Sequence, residues 1–408
     1  MQTRLNTDLL ATPLGKTADK VIRSCVHCGF CNATCPTYQL LGDELDGPRG
    51  RIYQIKQVLE GAPATASLQQ HLDRCLTCRA CETTCPSGVE YHKLLDIGRE
   101  LVEQQVPRAL PQRLQRKLIQ FLFAETARIK PLLFLGRLVR PLLPHSLKKR
   151  IPQRRKLPAF TPGAHKRKML LLDGCVQPAA APHINTFATR LFDRLGIELK
   201  TITSSGCCGA LHFHLGDAER ARQSARRNID AWWPAIEQGA EAIVSTATGC
   251  TPMLKEYAQL LADDPAYAQR AARMADMTRD LSEIIRDENL EDLQSRKRRR
   301  IAFHSPCTLQ HAQQLDGVVE DILTRVGYTL TTVRDKHLCC GSAGTYSILQ
   351  PELSQQLTRN KLEALQEKQP ELIATANIGC LLQLQNGADV EVIHWVELLA
   401  ESAAETPA

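Results

Sequence analysis

The apolar side chains of this 408-residue chain fall into helix-like runs near the N-terminus. One run lies between Pro48 and Gly61, residues that suit the first turn and the end of a helix. A second run follows residue 90. Both have the spacing of one helical face, so each predicts a helix. Their apolar positions are Ile52, Ile55, Val58 and Leu59 in the first run, and Tyr91, Leu94, Leu95, Ile97, Leu101 and Val102 in the second.

From residue 168 onward, short strand-like apolar runs alternate with helix-like segments, and the whole order occurs twice. Each copy reads strand, helix, strand, helix, strand, which predicts βαβ units around a parallel sheet. The first and middle cysteines of the copies are offset by 132 residues and the last by 130, which indicates an internal duplication. The landmarks are Cys175, Cys207-Cys208-Gly209, Arg227-Asn228 and Cys250, matched by Cys307, Cys339-Cys340-Gly341, Arg359-Asn360 and Cys380.

The predicted fold class is therefore α+β and multidomain. A mainly helical ferredoxin-like domain is expected at 1–103, followed by two duplicated α/β cysteine-rich lobes at 168–290 and 298–400. A basic amphipathic segment and linker is expected between them at 104–167, and the charged run 286–299 should join the lobes.

Charge is concentrated in the middle segment. The chain carries a net charge of +7, yet Gln104–Lys168 alone holds 17 lysines and arginines and one acid, Glu125. Leucine and phenylalanine patches alternate with these cations, which favours an interface with a membrane surface or a protein over a solvated linker. Nucleic acid is not expected, since no recognition motif occurs. Neither a secretory signal nor a membrane-spanning apolar run is visible in the sequence.

The chain has 16 cysteines, and without a visible secretory signal metal binding or thiol chemistry is expected in place of disulfides. Cys25–Pro36 and Cys75–Pro86 both read C-x2-C-x2-C-x3-C-P, the signature of [4Fe–4S] ferredoxins. In paired motifs the fourth cysteine serves the other cluster. The expected ligands are Cys25, Cys28, Cys31 and Cys85 for cluster 1, and Cys35, Cys75, Cys78 and Cys81 for cluster 2.

The alternative is a pair of four-cysteine zinc sites, but zinc modules usually present separated pairs of cysteines and not triplets. His27 lies inside the first motif. We expect it to be exposed or a local hydrogen-bond donor and not a ligand.

The other eight cysteines predict a further site whose chemistry stays open. Four thiols in each lobe would suit additional iron–sulfur clusters, zinc, a reactive thiol pair or a structural thiol set. Adjacent cysteines do not readily form a relaxed disulfide, which favours metal. The residues are Cys175, Cys207, Cys208, Cys250, Cys307, Cys339, Cys340 and Cys380, with His212, His214, His304, His311 and His337 nearby as supporting or structural groups.

No glycine-rich dinucleotide fingerprint or Walker loop occurs, so no flavin or nucleotide is expected in this chain. Iron–sulfur clusters move single electrons, whereas oxidation of an alcohol removes two. A flavin or similar two-electron carrier is therefore expected on a partner.

These motifs resemble the iron–sulfur subunits of bacterial glycolate oxidases. The resemblance is carried by Cys25–Cys31 with Leu40–Arg51, by Asn228–Glu237 and by Cys307–Ala312, and it covers about residues 20 to 400. It implies an electron-transfer subunit of a glycolate dehydrogenase complex, with the substrate site on a partner chain.

The resemblance further implies FAD-containing partner subunits that oxidise glycolate or D-lactate. It implies electron delivery towards the quinone pool of the respiratory chain, and a peripheral position on the cytoplasmic face of the bacterial inner membrane. The alternative to a glycolate oxidase subunit is the iron–sulfur subunit of a lactate dehydrogenase or of an anaerobic glycerol-3-phosphate dehydrogenase.

The repeats also resemble the cysteine-rich domains of heterodisulfide reductases, which suggests a thiol enzyme as a further alternative. Those domains commonly end in C-x2-C. Here Cys250 is flanked at that spacing by Ala247 and Met253, and Cys380 by Asn377 and Gln383. Each copy is therefore one cysteine short, which argues against disulfide chemistry. The remaining alternative is that the two repeats have a structural role and bind no metal.

Overall fold

The computed structural model describes residues 1–144, 148, 149, 151–153, 155, 157, 159–295 and 299–404. The chain forms two compact units. One comprises Met1–Arg116 and His337–Lys361, and the other Lys117–Lys336 and Leu362–Ala408. These units divide the chain by packing and not by repeat, so the domain boundaries expected from sequence remain a prediction. Parts of the expected linkers at 104–167 and 286–299 lie outside the described residues.

The N-terminal unit is mainly helical, as predicted. Both helices expected from the apolar spacing are present, over Pro48–Leu59 and Tyr91–Gln105. The helices of this unit before residue 106 are Thr7–Ala11, Pro13–Ser24, Phe30–Ala33, Pro36–Leu41, Pro48–Leu59, Ala66–Asp73, Ala80–Thr83 and Tyr91–Gln105, with a 3-10 turn at Glu44–Asp46.

The core of this unit is formed where four of these helices meet. Ile22, Ile55, Leu72, Leu94 and Leu95 are completely or almost completely buried in it. Burying each such side chain contributes about 1.5–3 kcal/mol. This core supports the cysteine-bearing loops, which lie at the ends of its helices.

Two helices of 14 residues follow, Leu110–Phe123 and Thr126–Val139, and then a 3-10 turn at Arg140–Leu142. Ile119 and Gln120 are buried in the first helix, and Ile129 in the second. Most of the other side chains face solvent. The segment therefore contains two helices with few buried side chains, and its amphipathic role stays a prediction.

Two four-stranded sheets, parallel throughout, form the duplicated lobes. Their strand orders are β2-β1-β3-β4 and β6-β5-β7-β8. The strands are β1 Arg167–Leu172, β2 Ile197–Thr201, β3 Ala242–Ser245, β4 Thr278–Asp280, β5 Arg300–His304, β6 Thr329–Leu330, β7 Leu372–Thr375 and β8 Glu391–His394. The predicted parallel α/β lobes are confirmed, and each gains a fourth strand that the sequence pattern did not predict.

Helices separate these strands. In the first copy they are Gln177–Ala180, His183–Arg194, Ala210–His214, Ala218–Glu237, Thr251–Lys255, Tyr257–Leu260, Ala268–Met277 and Leu281–Arg286, with a 3-10 turn at Glu291–Leu293. In the second copy they are Val318–Arg325, Tyr346–Leu349, Pro351–Gln366, Ile378–Gln385 and Trp395–Ala404, with one π-helical turn at Thr308–Ala312.

Every cysteine of the repeats follows the carboxyl end of a strand. Cys175, Cys207-Cys208 and Cys250 come after β1, β2 and β3, and Cys307, Cys339-Cys340 and Cys380 after β5, β6 and β7. Ligands of parallel α/β sheets gather at this edge. Within the part of the chain that is described, no helix is both long and apolar enough to cross a bilayer.

Candidate functional site

The first cysteine cavity brings together Cys25, Cys28 and Cys31 of the first motif and Cys85 of the second. It encloses about 420 Å³ of atom-free space, part of it open to solvent. The chain reverses direction inside the motif at Gly29, whose φ of 88° lies in the left-handed region that glycine adopts without strain. This turn starts the short helix that carries Cys31.

The second cysteine cavity has the complementary set, Cys75, Cys78 and Cys81 with Cys35 from the first motif. Its atom-free space is about 390 Å³. Arg79 takes the place of Gly29 and has a φ of 60°, a strained conformation for a residue with a side chain. Cys81 also borders the first cavity, so it lies next to both.

The thiols in these cavities favour a metal centre. Burial, together with the neighbouring Cys25 and Cys85, raises the pKa of Cys31 to about 11. Burial also raises the pKa of Cys25, and that of the fully buried Cys81 well above its ordinary value. Several thiolates in one buried pocket repel each other, and iron ions would offset that charge. Four thiols per cavity match the donor set of a [4Fe–4S] cluster.

A buried charge network stands behind the second cavity. The guanidinium of Arg51 and the carboxylate of Asp46 are almost completely buried and lie 3.2 Å apart. Asp46 also contacts Arg74 at 2.8 Å and His71 Nδ1 at 3.0 Å. With two arginines and one acid, the network carries net positive charge even when His71 is neutral.

This network touches the cysteines directly. Thr37 Oγ1 accepts a hydrogen bond from Arg51 at 3.2 Å and lies 3.3 Å from Cys35 Sγ. No sequence motif marks this network. A signal was present, because Arg51, Ile55 and Leu59 are spaced by four residues, so Arg51 occupies a position on the buried face of its helix.

Two further side chains support Cys75. The Tyr91 hydroxyl donates to Cys75 Sγ at 3.9 Å, and Arg99 donates to the Cys75 carbonyl at 2.8 Å. Both residues lie on the helix Tyr91–Gln105, so this helix holds the second motif in place.

The first repeat gathers its four predicted thiols into a chain of contacts. Cys207 Sγ accepts hydrogen bonds from the Cys175 and Cys208 thiols and from the Gly209 amide, which lowers its pKa well below the ordinary value. Cys208 in turn contacts Cys250. We call these four residues the thiol quartet. A thiolate surrounded by thiols is the ligand form that metals bind.

Asn228 holds the cysteine pair of this quartet. Its amide accepts from Gly206 N at 2.9 Å and donates to the Cys207 carbonyl at 3.0 Å. The Tyr257 hydroxyl accepts from Asn228 and donates to the Cys208 carbonyl at 2.8 Å. Asn228, one of the residues that occur in both copies, therefore fixes the backbone of the cysteine pair.

The glycine after each cysteine pair is required by space and conformation. Gly209 has a φ of 93°, and a Cβ there would lie 3.1 Å from the Ala221 carbonyl oxygen. Gly341 has a φ of 85°, and a Cβ there would lie 2.4 Å from the Ser354 carbonyl oxygen. A side chain would clash at Gly341, whereas at Gly209 it would make a tight contact and adopt a strained backbone conformation, so both positions favour glycine.

The cysteines of the second repeat fall in both units. Cys339 and Cys340 belong to the N-terminal unit, where Gly341 N donates to Cys339 Sγ at 3.4 Å. Cys307 and Cys380 belong to the other unit, where Asn377 Nδ2 lies 3.5 Å from Cys380 Sγ.

The predicted supporting histidines have different surroundings. His27 is exposed, as expected, and its ring stands edge-on to Tyr53. His212, His304 and His311 are buried, His337 is half-buried and His214 is exposed.

Two family models match the chain. The 4Fe-4S dicluster domain matches residues 21–89, which include both cysteine motifs. The cysteine-rich domain matches twice, at residues 169–255 and 301–385, which are the two repeats.

Three relatives extend these matches. The glycolate oxidase iron-sulfur subunit of Escherichia coli strain K12 is 52% identical over 98% of this chain and 99% of its own length. The probable glycolate oxidase iron-sulfur subunit of Bacillus subtilis strain 168 is 30% identical over 93% of this chain and 94% of its own. Lactate utilization protein A of the same strain is 29% identical over 57% of this chain and 98% of its own length.

Proposed function

The chain belongs to the family of glycolate oxidase iron–sulfur subunits, and we propose that it receives electrons from a flavin-containing partner subunit that oxidises glycolate or D-lactate. Its own role is ferredoxin-like electron transfer with iron–sulfur clusters. The observation that supports this proposal best is the exchange of cysteines between the motifs, which gives each of two cavities a full donor set.

We assign Cys25, Cys28, Cys31 and Cys85 to one [4Fe–4S] cluster, and Cys35, Cys75, Cys78 and Cys81 to the other. When bound, each cluster supplies one-electron redox chemistry. The protein holds the thiolates at fixed positions and places the positive charge of the Arg51 network beside the second cavity.

The surroundings of the first cavity suggest where the partner docks. Cys28 is exposed, and the side chains of Val26 and Phe30 beside it are 66% and 62% exposed. Large exposed apolar groups around a redox site are typical of an interaction surface. Electrons would therefore enter at the first cavity and pass to the second.

The helix Thr126–Val139 supports a peripheral membrane position. Leu132, Leu135 and Leu138 are exposed on one side of it, and Leu142 of the following turn is 87% exposed. The segment Gln104–Lys168 to which it belongs carries 17 lysines and arginines. Near an anionic membrane surface each such cation contributes about 1 kcal/mol. We propose that this helix rests on the cytoplasmic face of the inner membrane, from which electrons reach quinone.

The thiol quartet supports a further metal site in the first repeat. Measurement of the iron, acid-labile sulfide and zinc content of anaerobically purified protein tests this assignment. About twelve irons per chain would support a third cluster, whereas about eight irons without zinc would contradict a metal in the repeats.

Co-purification with the flavoprotein, followed by assay with individual alcohols, tests the substrate. We expect cluster reduction with glycolate and D-lactate. Reduction with glycerol 3-phosphate but not with glycolate would refute the proposal, and reduction with lactate alone would favour the lactate utilization relatives.

Vesicle sedimentation tests the membrane contact. The double variant Leu135→Glu with Leu138→Glu should reduce binding to anionic vesicles by at least about tenfold, because it places charge on the apolar side of the helix. Leu45→Glu, at an exposed leucine of the N-terminal unit, is the matched control. Equal binding by all three proteins would rule out this helix as the contact.

A further inference from the structure

A cleft of about 340 Å³ lies beside the first repeat. One wall comes from the connection between helices Leu110–Phe123 and Thr126–Val139, and the other from helices Ala210–His214 and Ala218–Glu237. The residues that characterise it are Phe121, Glu125, Arg128, His212, Arg220 and Arg227. Its volume is in the range of small-molecule sites.

The charge that lines this cleft is positive. Arg227 Nη1 lies 3.1 Å from Glu125 Oε1, so these two groups neutralise each other. Arg128 donates to the Phe121 carbonyl at 2.7 Å and keeps its full charge. Arg220 is more than half exposed and lies 3.5 Å from Asp217, which is not part of the lining. Arg220 therefore shares its charge with Asp217, and the Arg128 guanidinium stacks on the Phe121 ring with its carbon 3.9 Å from the ring centre. Each guanidinium has five N–H donors, so both can still donate to an anion, and guanidinium pairs well with carboxylates.

A buried polar atom also points to a ligand. His212 lines the cleft and is 8% exposed, and its Nδ1 has no hydrogen-bond partner among the described residues. Burial lowers the pKa of His212, so the ring stays neutral and can donate or accept a hydrogen bond. A buried polar atom without a partner costs about 1–3 kcal/mol, which a bound polar group would recover.

We propose that this cleft binds a small organic carboxylate. Arg128 and Arg220 would contact the carboxylate, and the ring of His212, which lines the cleft, would turn its buried Nδ1 towards a second polar atom of the ligand. The Phe121 ring and Ala124 form an apolar wall for its carbon atoms. Such a wall, together with the acid Glu125, favours a small carboxylate over inorganic phosphate. The proposal does not depend on the electron-transfer role.

The site is connected to the thiol quartet. Arg227 Nη2 lies 3.4 Å from the Cys207 carbonyl oxygen, and Thr126 Oγ1 donates to the Cys175 carbonyl at 2.8 Å. A bound carboxylate would therefore lie within two contacts of these cysteines.

Calorimetric titration of the full chain at constant ionic strength tests the proposal, with acetate, glycolate and phosphate as probes. We expect saturable glycolate binding with a Kd below about 1 mM. Acetate should bind more weakly because it lacks a group for His212. Arg128→Gln and Arg220→Gln should each weaken glycolate binding about tenfold, the effect of losing one charge-assisted hydrogen bond.

Arg222→Gln is the matched control, because Arg222 lies on the same helix as Arg220, pairs with Glu219 at 3.4 Å and does not line the cleft. The proposal would be overturned if Arg222→Gln weakened glycolate binding as much as Arg128→Gln and Arg220→Gln do. It would also be overturned if phosphate bound as tightly as glycolate. Failure of every carboxylate to saturate at about 10 mM would also overturn it. Circular dichroism and iron content establish that each variant is folded, so a change in affinity is assigned to the cleft.

Discussion

The two cysteine cavities of the N-terminal unit share one motif but differ in what surrounds them. The first has an exposed cysteine at its rim and large exposed apolar side chains nearby. The second has Arg51 and Asp46 behind it, both almost completely buried. The motif determines which metal the cysteines bind, whereas the surroundings determine solvent access and local charge.

This difference gives the cavities different expected roles. A buried positive charge stabilises the reduced, more negative state of a nearby cluster, so the second cluster should have the higher reduction potential. An exposed rim favours exchange with a partner. We expect electrons to pass from the exposed site to the buried one, and the following predictions test the comparison.

The largest effect is expected from Cys81→Ser compared with Cys28→Ser. Cys81 borders both cavities, so its loss should remove most of the iron, whereas Cys28→Ser should remove about half, or about four of eight irons. Iron analysis of the two purified variants checks this difference. Equal iron loss would mean that the cavities do not share Cys81.

Arg51→Gln tests the buried network. It leaves the Asp46 carboxylate with less positive charge in a buried site, which should cost about 3–5 kcal/mol of unfolding free energy. It should also lower the potential of the second cluster and leave the first unchanged. Arg49→Gln on the same helix is the matched control for the stability measurement, since its partly exposed pair with Glu44 should contribute at most about 1 kcal/mol. Chemical denaturation and redox titration followed by electron paramagnetic resonance measure both effects.

His394 is buried like Arg51, but it is neutral where Arg51 is charged. Arg51 stays charged because Asp46 and neighbouring thiols face it, whereas burial lowers the pKa of His394 to about 4 and keeps it neutral. Its Nε2 lies 2.9 Å from the Thr246 carbonyl oxygen.

Because the unfolded chain takes up the His394 proton first, stability should fall as the pH drops from about 6.5 to 4. The loss should reach about 3 kcal/mol. Urea denaturation at several pH values measures the slope, and His394→Gln should flatten it. An unchanged slope in that variant would contradict the assignment.

Tyr91→Phe should have the smallest effect. It removes one weak hydrogen bond to Cys75 Sγ and should cost less than about 1 kcal/mol of stability. The potential of the second cluster should fall by less than in Arg51→Gln. A shift of the first cluster in the same redox titration would contradict the local role of Tyr91.

The cysteine spacing predicted which four cysteines line each cavity, because a tight C-x2-C-x2-C loop leaves its fourth cysteine directed elsewhere. That these cysteines hold two clusters stays a prediction. Helical periodicity likewise predicted Pro48–Leu59 and Tyr91–Gln105, since burial of one face dominates there. The parallel lobes followed from alternation of strand and helix.

Other features depend on contacts distant in sequence. The fourth strands are short, and Thr278–Asp280 has no apolar run that would mark it. The Arg51 network joins residues up to 28 positions apart, and periodicity treats a buried arginine as an interruption. Whether a cysteine loop packs with its own repeat or with another unit is likewise set by the tertiary fold.

The segment His337–Lys361 belongs to the N-terminal unit although 220 residues separate it from Arg116. During synthesis, the ribosome releases both cysteine motifs long before this last part of their unit. The N-terminal unit should therefore remain incomplete until translation is nearly finished. A gene fragment that ends at residue 116 would encode all eight ferredoxin cysteines and still lack part of the structure that encloses them.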